Sequence, residues 1–361
     1  MKVLITGGAG FIGTNLADRL LRDGADVRIL DSLARPGTES NLKWLRLEHP
    51  VRLEARIGDV RDAELVKHCV REVEHVVHLA AQVAVTSSVD DPRLDFEVNA
   101  GGTLNVLEAI RLASRPPSLA FCSTNKVYGA LPDVRLDASA RRYEPADALA
   151  RTRGVDETRP LDFHSPYGCS KGAADQYVLD YARSFGLRAT VLRMSCIYGP
   201  HQHGNEDQGW VAHFMRCALD GSPVTIYGDG KQVRDILFVD DLVNALECAR
   251  AQIDTVQGRA FNMGGGPANT ISILELIDHI ERVHGNRLPT GYAGWRVGDQ
   301  RYYVSCTERF AEATGWKAST DVESGLDRLH DWLRQHTERS AATPLAPSRG
   351  APLAATVRAT P

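Results

Sequence analysis

The sequence predicts an α/β protein in which a doubly wound parallel sheet is followed by a smaller C-terminal cap. Short apolar runs near residues 2–6, 26–31, 51–56, 75–79 and 118–123 alternate with helical patterns near 11–23, 62–72 and 95–114. A further apolar run from Arg188 to Met194 follows a helical pattern over 166–185. Beyond 195 the alternation stops and loops rich in His, Gly and Asn begin. Strands separated by helices must pair in parallel, because each helix carries the chain back across the sheet.

At 361 residues and 43% hydrophobic content the chain can bury a sizeable core. Its net charge of −4, with both signs interleaved, gives no footprint for nucleic acid or an anionic membrane. No apolar run of about 18 residues is present, so no membrane span is expected. The seven cysteines form no CxxC pair and no ligand spacing, which predicts reduced thiols, a cytoplasmic location and no metal.

The first strand runs directly into Thr6-Gly7-Gly8-Ala9-Gly10-Phe11-Ile12-Gly13 and then a helix. Strand, glycines and helix in that order make a Rossmann-like dinucleotide site. Gly8 and Gly10 let backbone approach a pyrophosphate, Gly13 lets helix and sheet close up, and the helix N-terminus offers free N–H groups. Asp31 ends the second strand 18 positions after Gly13, where a carboxylate accepts from a ribose diol and favours NAD over NADP. Its structural alternative is a turn cap. Asp59-Val60 after the third strand is expected at the adenine, and Leu79-Ala80-Ala81 offers small residues beside the ligand.

Tyr167 and Lys171 stand four apart at the start of a helix, which places phenol and ammonium on one face. A cation about 4 Å away, at an effective dielectric of about 20, contributes roughly 4 kcal/mol, or about three pKa units. That predicts a phenol brought toward neutral pH, where a general base works best. Tyr227 and Lys231 share the spacing, but Gly228-Asp229-Gly230 between them reads as a hairpin turn. Thr124 ends the fifth strand at the ligand-facing edge and completes the set needed to deprotonate an alcohol.

Taken in order, TGGAGFIG, Asp31, Leu79-Ala80-Ala81, Ser123-Thr124 and Tyr167-x-x-x-Lys171 resemble the extended short-chain dehydrogenase/reductase family over about residues 1–336. Within it, Ser123 to Gly129, Leu161 to Tyr177, Asp207 to Val211 and Gly230 to Asp235 are similar to the CDP-tyvelose (CDP-paratose) 2-epimerases. The resemblance implies NAD as cofactor and a nucleotide-sugar substrate, with a CDP-sugar favoured. Tyr167 would take the proton of the 2-hydroxyl, and the sugar would pass through a 2-keto form.

It also implies Thr124, Asn125, Lys126 and Gln208 at the sugar, Arg234 and Arg301 on the diphosphate, and Asn99 and Tyr198 among the coenzyme contacts with Tyr167 and Lys171. Nucleotide-sugar 4,6-dehydratases carry an acidic pair after the strand-five threonine. Here Asn125 and Lys126 stand there, so dehydration is not expected. A UDP-sugar 4-epimerase is the nearest alternative, although the 130–163 segment is long for one; a non-catalytic dinucleotide-binding sensor or scaffold is another.

The expected organisation is a coenzyme domain over 1–193 with about 234–263, a substrate domain over 194–233 and 264–336, and a disordered tail over 337–361. Helices near 95–114 and 166–185 are the expected seam of a homodimer.

Overall fold

A computed structural model describes residues 1–296 and 298–342 of the chain. Seven strands form the central sheet: β1 (Lys2–Thr6), β2 (Asp26–Asp31), β3 (Leu53–Ile57), β4 (His75–His78), β5 (Ser118–Thr124), β6 (Ala189–Met194) and β7 (Ala260–Met263). Their order is β7-β6-β5-β4-β1-β2-β3, and every pairing is parallel. The chain winds outward from β1 through β3, then returns to β4 on the other side of β1. That reversal opens a crevice at the C-terminal ends of β1 and β4.

Every residue of β4 and β5 is buried, as expected for strands covered on both faces. Helices Phe11–Arg22 and Val239–Ala251 cover one face, where Leu16, Leu20, Leu242 and Leu246 share a core. Helices Ala63–Val70, Gly102–Arg111 and Ser165–Phe185 cover the other through Val66, Val106, Leu107 and Val178. One polar residue inside the sheet is fully paired: His78 bonds Thr6 at 2.6 Å and Thr103 at 3.0 Å, and burial pulls its imidazole down to about 3.

The structure departs from the sequence-based expectation in five places. The 95–114 helix is two helices, Pro92–Phe96 and Gly102–Arg111, joined by a π-turn over Glu97–Gly101. Helix Thr38–Glu48 was not anticipated, although its buried Thr38, Asn41, Leu42 and Leu45 carry a helical period. The 130–163 segment is not wholly irregular, since Leu136–Ala138 pairs with Tyr143–Pro145 and a helix covers Ala148–Arg153.

The turn at Gly228 and Gly230 exists, with φ of +85° and +77°, but it does not close a hairpin. Strand Val224–Tyr227 pairs with Thr290–Ala293, whereas Val233–Phe238 joins a separate sheet with Cys196–Tyr198, Thr270–Ser272 and Tyr302–Tyr303. Local turn chemistry cannot tell which sheet the next strand enters. Finally, helix Val322–Ala342 runs past residue 337, and the remainder of the expected tail, 343–361, lies outside the described residues.

Candidate active site

Backbone contact shapes the coenzyme end of the crevice. A Cβ on Gly7 (φ +69°) would stand 2.8 Å from the Ala80 nitrogen, and one on Gly13 would stand 2.4 Å from the Gly7 oxygen. The helix starting at Phe11 has no side-chain cap and no acid in its first turn, so its positive end faces the crevice unopposed by carboxylates of its own. These features fit a dinucleotide pyrophosphate. Ile12 packs against the apolar core behind the loop.

Asp31 lies at the expected place and also ties the loop together. Its carboxylate accepts the Ala9 N–H at 2.9 Å and the Leu33 N–H at 2.8 Å. Burial raises its pKa, while those N–H groups pull the other way. The turn-capping and ribose-binding readings are therefore compatible, because each oxygen keeps acceptor capacity.

Asp59 follows β3, accepts from Arg61 at 2.8 Å and is held below the usual carboxylate range by it, while the adjoining Val60 is buried. Leu79 and Ala80 join β4 to β1 through N–H bonds to Thr6. Ala81 continues the same loop, half-buried.

Tyr167 and Lys171 both lie on helix Ser165–Phe185 and are buried, 9% and 3% exposed. The Tyr167 hydroxyl lies near the Thr124 hydroxyl, whose influence favours the ionised phenol. Lys171 does not bear on the phenol as the sequence predicts. Its Nζ donates to the Cys122 carbonyl at 2.7 Å and stands 4.2 Å from the Phe121 ring centroid. Burial therefore pushes the Tyr167 phenol up to about 12, opposed chiefly by the Thr124 hydroxyl, and pulls the Lys171 amine down to about 8. Desolvation outweighs the expected ion–phenol attraction.

Arg35 was not anticipated as a site residue. Its charge acts on both Asp31 and Tyr167, and its guanidinium donates at 2.6 Å to Gln208 of the cap. The signal available was its place in the loop that leaves a strand at the ligand edge. A second link across the crevice runs from Asn41, which donates to Ala9 and His201 carbonyls at 3.2 Å each.

At the substrate end, Asn125 is buried and Lys126 donates to the Gly298 carbonyl at 3.1 Å. Burial and the neighbouring Arg234 pull the Lys126 amine down to about 8. Arg234 is buried and already paired, donating to Asp299 at 2.7 Å. Arg301 is exposed and lies 5.3 Å and 5.6 Å from the Trp295 and Tyr143 ring centroids. Tyr143 ties the 130–163 segment to this wall through Asp229, at 2.6 Å.

One expected coenzyme contact needs correction. Tyr198 is a core residue: its ring meets Phe238 edge-on at 5.5 Å, and a Cβ on Gly325 would stand 2.0 Å from its hydroxyl. Strand alternation turned its side chain away from the crevice. Asn99 lies in the π-turn beside the site, but its amide donates to Gln82, Asp95 and Ser170, and its oxygen accepts the Gln82 N–H. It holds the loop after β4, and its oxygen keeps acceptor capacity.

The chain is similar over most of its length to several known proteins. The sequence pattern described as "NAD dependent epimerase/dehydratase family" matches residues 3–264. A CDP-paratose 2-epimerase of Salmonella typhi is 41% identical over 339 residues, covering 92% of this chain and 99% of that protein. A putative UDP-glucose 4-epimerase of Methanocaldococcus jannaschii is 31% identical over 335 residues, with coverage of 92% and 99%. The solved UDP-glucose 4-epimerase of Thermus thermophilus, in complex with NAD, superposes with a TM-score of 0.77 at 33% identity, covering 92% of this chain and 99% of that one. Among the described residues, no helix is long and apolar enough to cross a membrane.

Proposed function

The chain belongs to the NAD dependent epimerase/dehydratase family, and from that premise we propose that it inverts carbon 2 of a CDP-hexose, of the CDP-paratose to CDP-tyvelose type. The observation that carries this reading is the buried Tyr167 phenol beside Thr124 at the crevice, with Asn125 and Lys126 following Thr124 where a dehydratase would need acids. The 41% identity of a CDP-paratose 2-epimerase over nearly the whole chain supports the choice of base and carbon.

When bound, NAD accepts hydride from the sugar carbon and returns it to the opposite face of the resulting ketone. The protein's own residues handle the proton. Tyr167 takes it from the sugar hydroxyl and later gives it back, and Thr124 favours the ionised phenol. Lys171, fixed by the Cys122 carbonyl, supplies the cation of the coenzyme wall. Lys126 and Arg234 supply positive charge for the substrate diphosphate, and Asp299 offsets part of it in the free protein. Arg301 lies on the same cap wall and adds a guanidinium fork.

The test is incubation with CDP-paratose, CDP-glucose, UDP-glucose and GDP-sugars, with product stereochemistry read by NMR. Inversion at carbon 2 of a CDP-sugar is expected. Inversion of UDP-glucose at carbon 4 alone would replace this reading with the 4-epimerase one, which relatives at 31% identity make the next choice. Tyr167→Phe should lower kcat by about 10²–10⁴-fold while leaving bound NAD unchanged.

The seven free thiols accord with a cytoplasmic enzyme. The exposed Leu104, Leu112, Tyr177 and Phe185, on or beside helices Gly102–Arg111 and Ser165–Phe185, suit a homodimer seam that gel filtration would test.

A further inference from the structure

One buried carboxylate touches the site without belonging to any motif in it. Asp95 is 1% exposed and sits one residue before the end of helix Pro92–Phe96, just ahead of the π-turn. Its Oδ2 accepts from the Ser170 hydroxyl at 2.5 Å, and its Oδ1 accepts from the Asn99 amide at 3.1 Å. Ser170 precedes Lys171 and also receives an Asn99 bond at 3.0 Å. Asn99 in turn holds both the N–H and the carbonyl of Gln82, at the end of the loop that leaves β4. A π-turn at this junction reorients Asn99 so that one amide can span both partners.

We propose that Asp95 is a positioning residue for the reaction: through Ser170 and Asn99 it locks the Tyr167–Lys171 turn to the loop after β4, and its charge faces both of those side chains. This rests on the reading of Tyr167 as the base. The charged and titratable groups around the pair are Arg35 from the loop after β2, His78 of β4, Cys122 of β5, Asp175 on the helix itself, and Asp95. Asp95 opposes ionisation of the Tyr167 phenol and favours the Lys171 ammonium. Arg35 acts on the phenol in the opposite sense. Asp95 thus biases the pair toward a neutral phenol and a charged ammonium in the protein without sugar.

Asp95→Asn keeps an acceptor for Ser170 and removes the charge. The NAD-loaded protein, without any sugar, would be titrated by the ultraviolet absorbance of the phenolate, with Tyr167→Phe identifying the signal. The Tyr167 midpoint should fall by about one pH unit, the scale of one charge about 10 Å away at an effective dielectric of about 20. The acid limb of kcat should move with it.

Ser170→Ala removes a hydrogen bond and no charge. It should lower kcat about 10- to 100-fold with KM little changed and the phenol midpoint unmoved. An unshifted midpoint in Asp95→Asn, or full kcat in Ser170→Ala, would overturn the proposal. Should the Asn variant not fold, Ser170→Ala still decides the tie. Because the titration contains no sugar, a shifted midpoint in a protein that turns over no CDP-sugar would sink the substrate assignment and leave Asp95's role standing.

Discussion

The coenzyme end and the substrate end of the crevice are built on opposite plans. At the coenzyme end the shape is made of backbone: Gly7, Gly13 and Ala80 approach so closely that no Cβ fits between them. At the substrate end two cations share one internal carboxylate, Arg234 meeting Asp299 at 2.7 Å and Lys126 the same oxygen at 3.9 Å. A diphosphate competes with Asp299 there, whereas the glycine loop offers backbone with no carboxylate of its helix's first turn against it. The contrast suits an enzyme that keeps one ligand and exchanges the other. Tight retention comes from pre-shaped backbone, and turnover from an internal anion that competes for the same cations.

The largest break in that contrast is Gly13→Val. Its side chain would press on the Gly7 oxygen and Gly8 Cα, which cannot yield, so bound NAD should fall by more than about 100-fold. Nucleotide released on denaturing the purified protein measures it. Next comes Arg234→Ala, which should raise KM for the nucleotide-sugar about 10- to 100-fold with bound NAD unchanged.

Asp299→Asn sharpens the comparison by acting in the opposite direction. Relieved of its competitor, the substrate should bind about threefold more tightly, read as a lower KM. An unchanged KM would mean that the ion pairs do not set affinity.

The pH dependence follows from two lysines. Lys126 and Lys171 both lose their protons as pH rises through about 8, below the ordinary 10.5, so kcat/KM should fall above that pH. Lys126→Arg keeps a charge that does not titrate there; because the Tyr167 base is still ionising up to about 12, the net slope on log axes above pH 8 should relax from about minus one to about zero. The smallest effect belongs to Tyr198→Phe. With its hydroxyl against Gly325 and away from the crevice, bound NAD should be unchanged, and stability should change by less than about 1 kcal/mol on denaturant titration.

The residues legible beforehand are those whose role follows from a short stretch of chain. The glycine loop, Asp31 at a strand end, and Tyr167 with Lys171 one helical turn apart are specified by steric limits and by helix and strand periods. Tyr198 was misread because a family loop places its backbone near the ligand, while strand alternation sends its ring into the core. Arg35 and Asp95 were missed for a different reason. Each meets its partners across more than 70 positions, Arg35 at Gln208 and Asp95 at Ser170, and no local pattern encodes such a meeting. The hairpin expected at 227–231 failed on the same ground, since its glycines specify a turn and not the strand's next neighbour.

By itself, then, the chain determined its layers, its dinucleotide loop and the phenol–amine pair, because backbone sterics and side-chain period act between residues close in sequence. Only the tertiary structure decided which charge meets which. It put Lys171 on a carbonyl instead of the phenol and Asp299 between two cations, and it raised Tyr167 to about 12. Desolvation and ion pairing depend on distances that exist only once remote segments have packed.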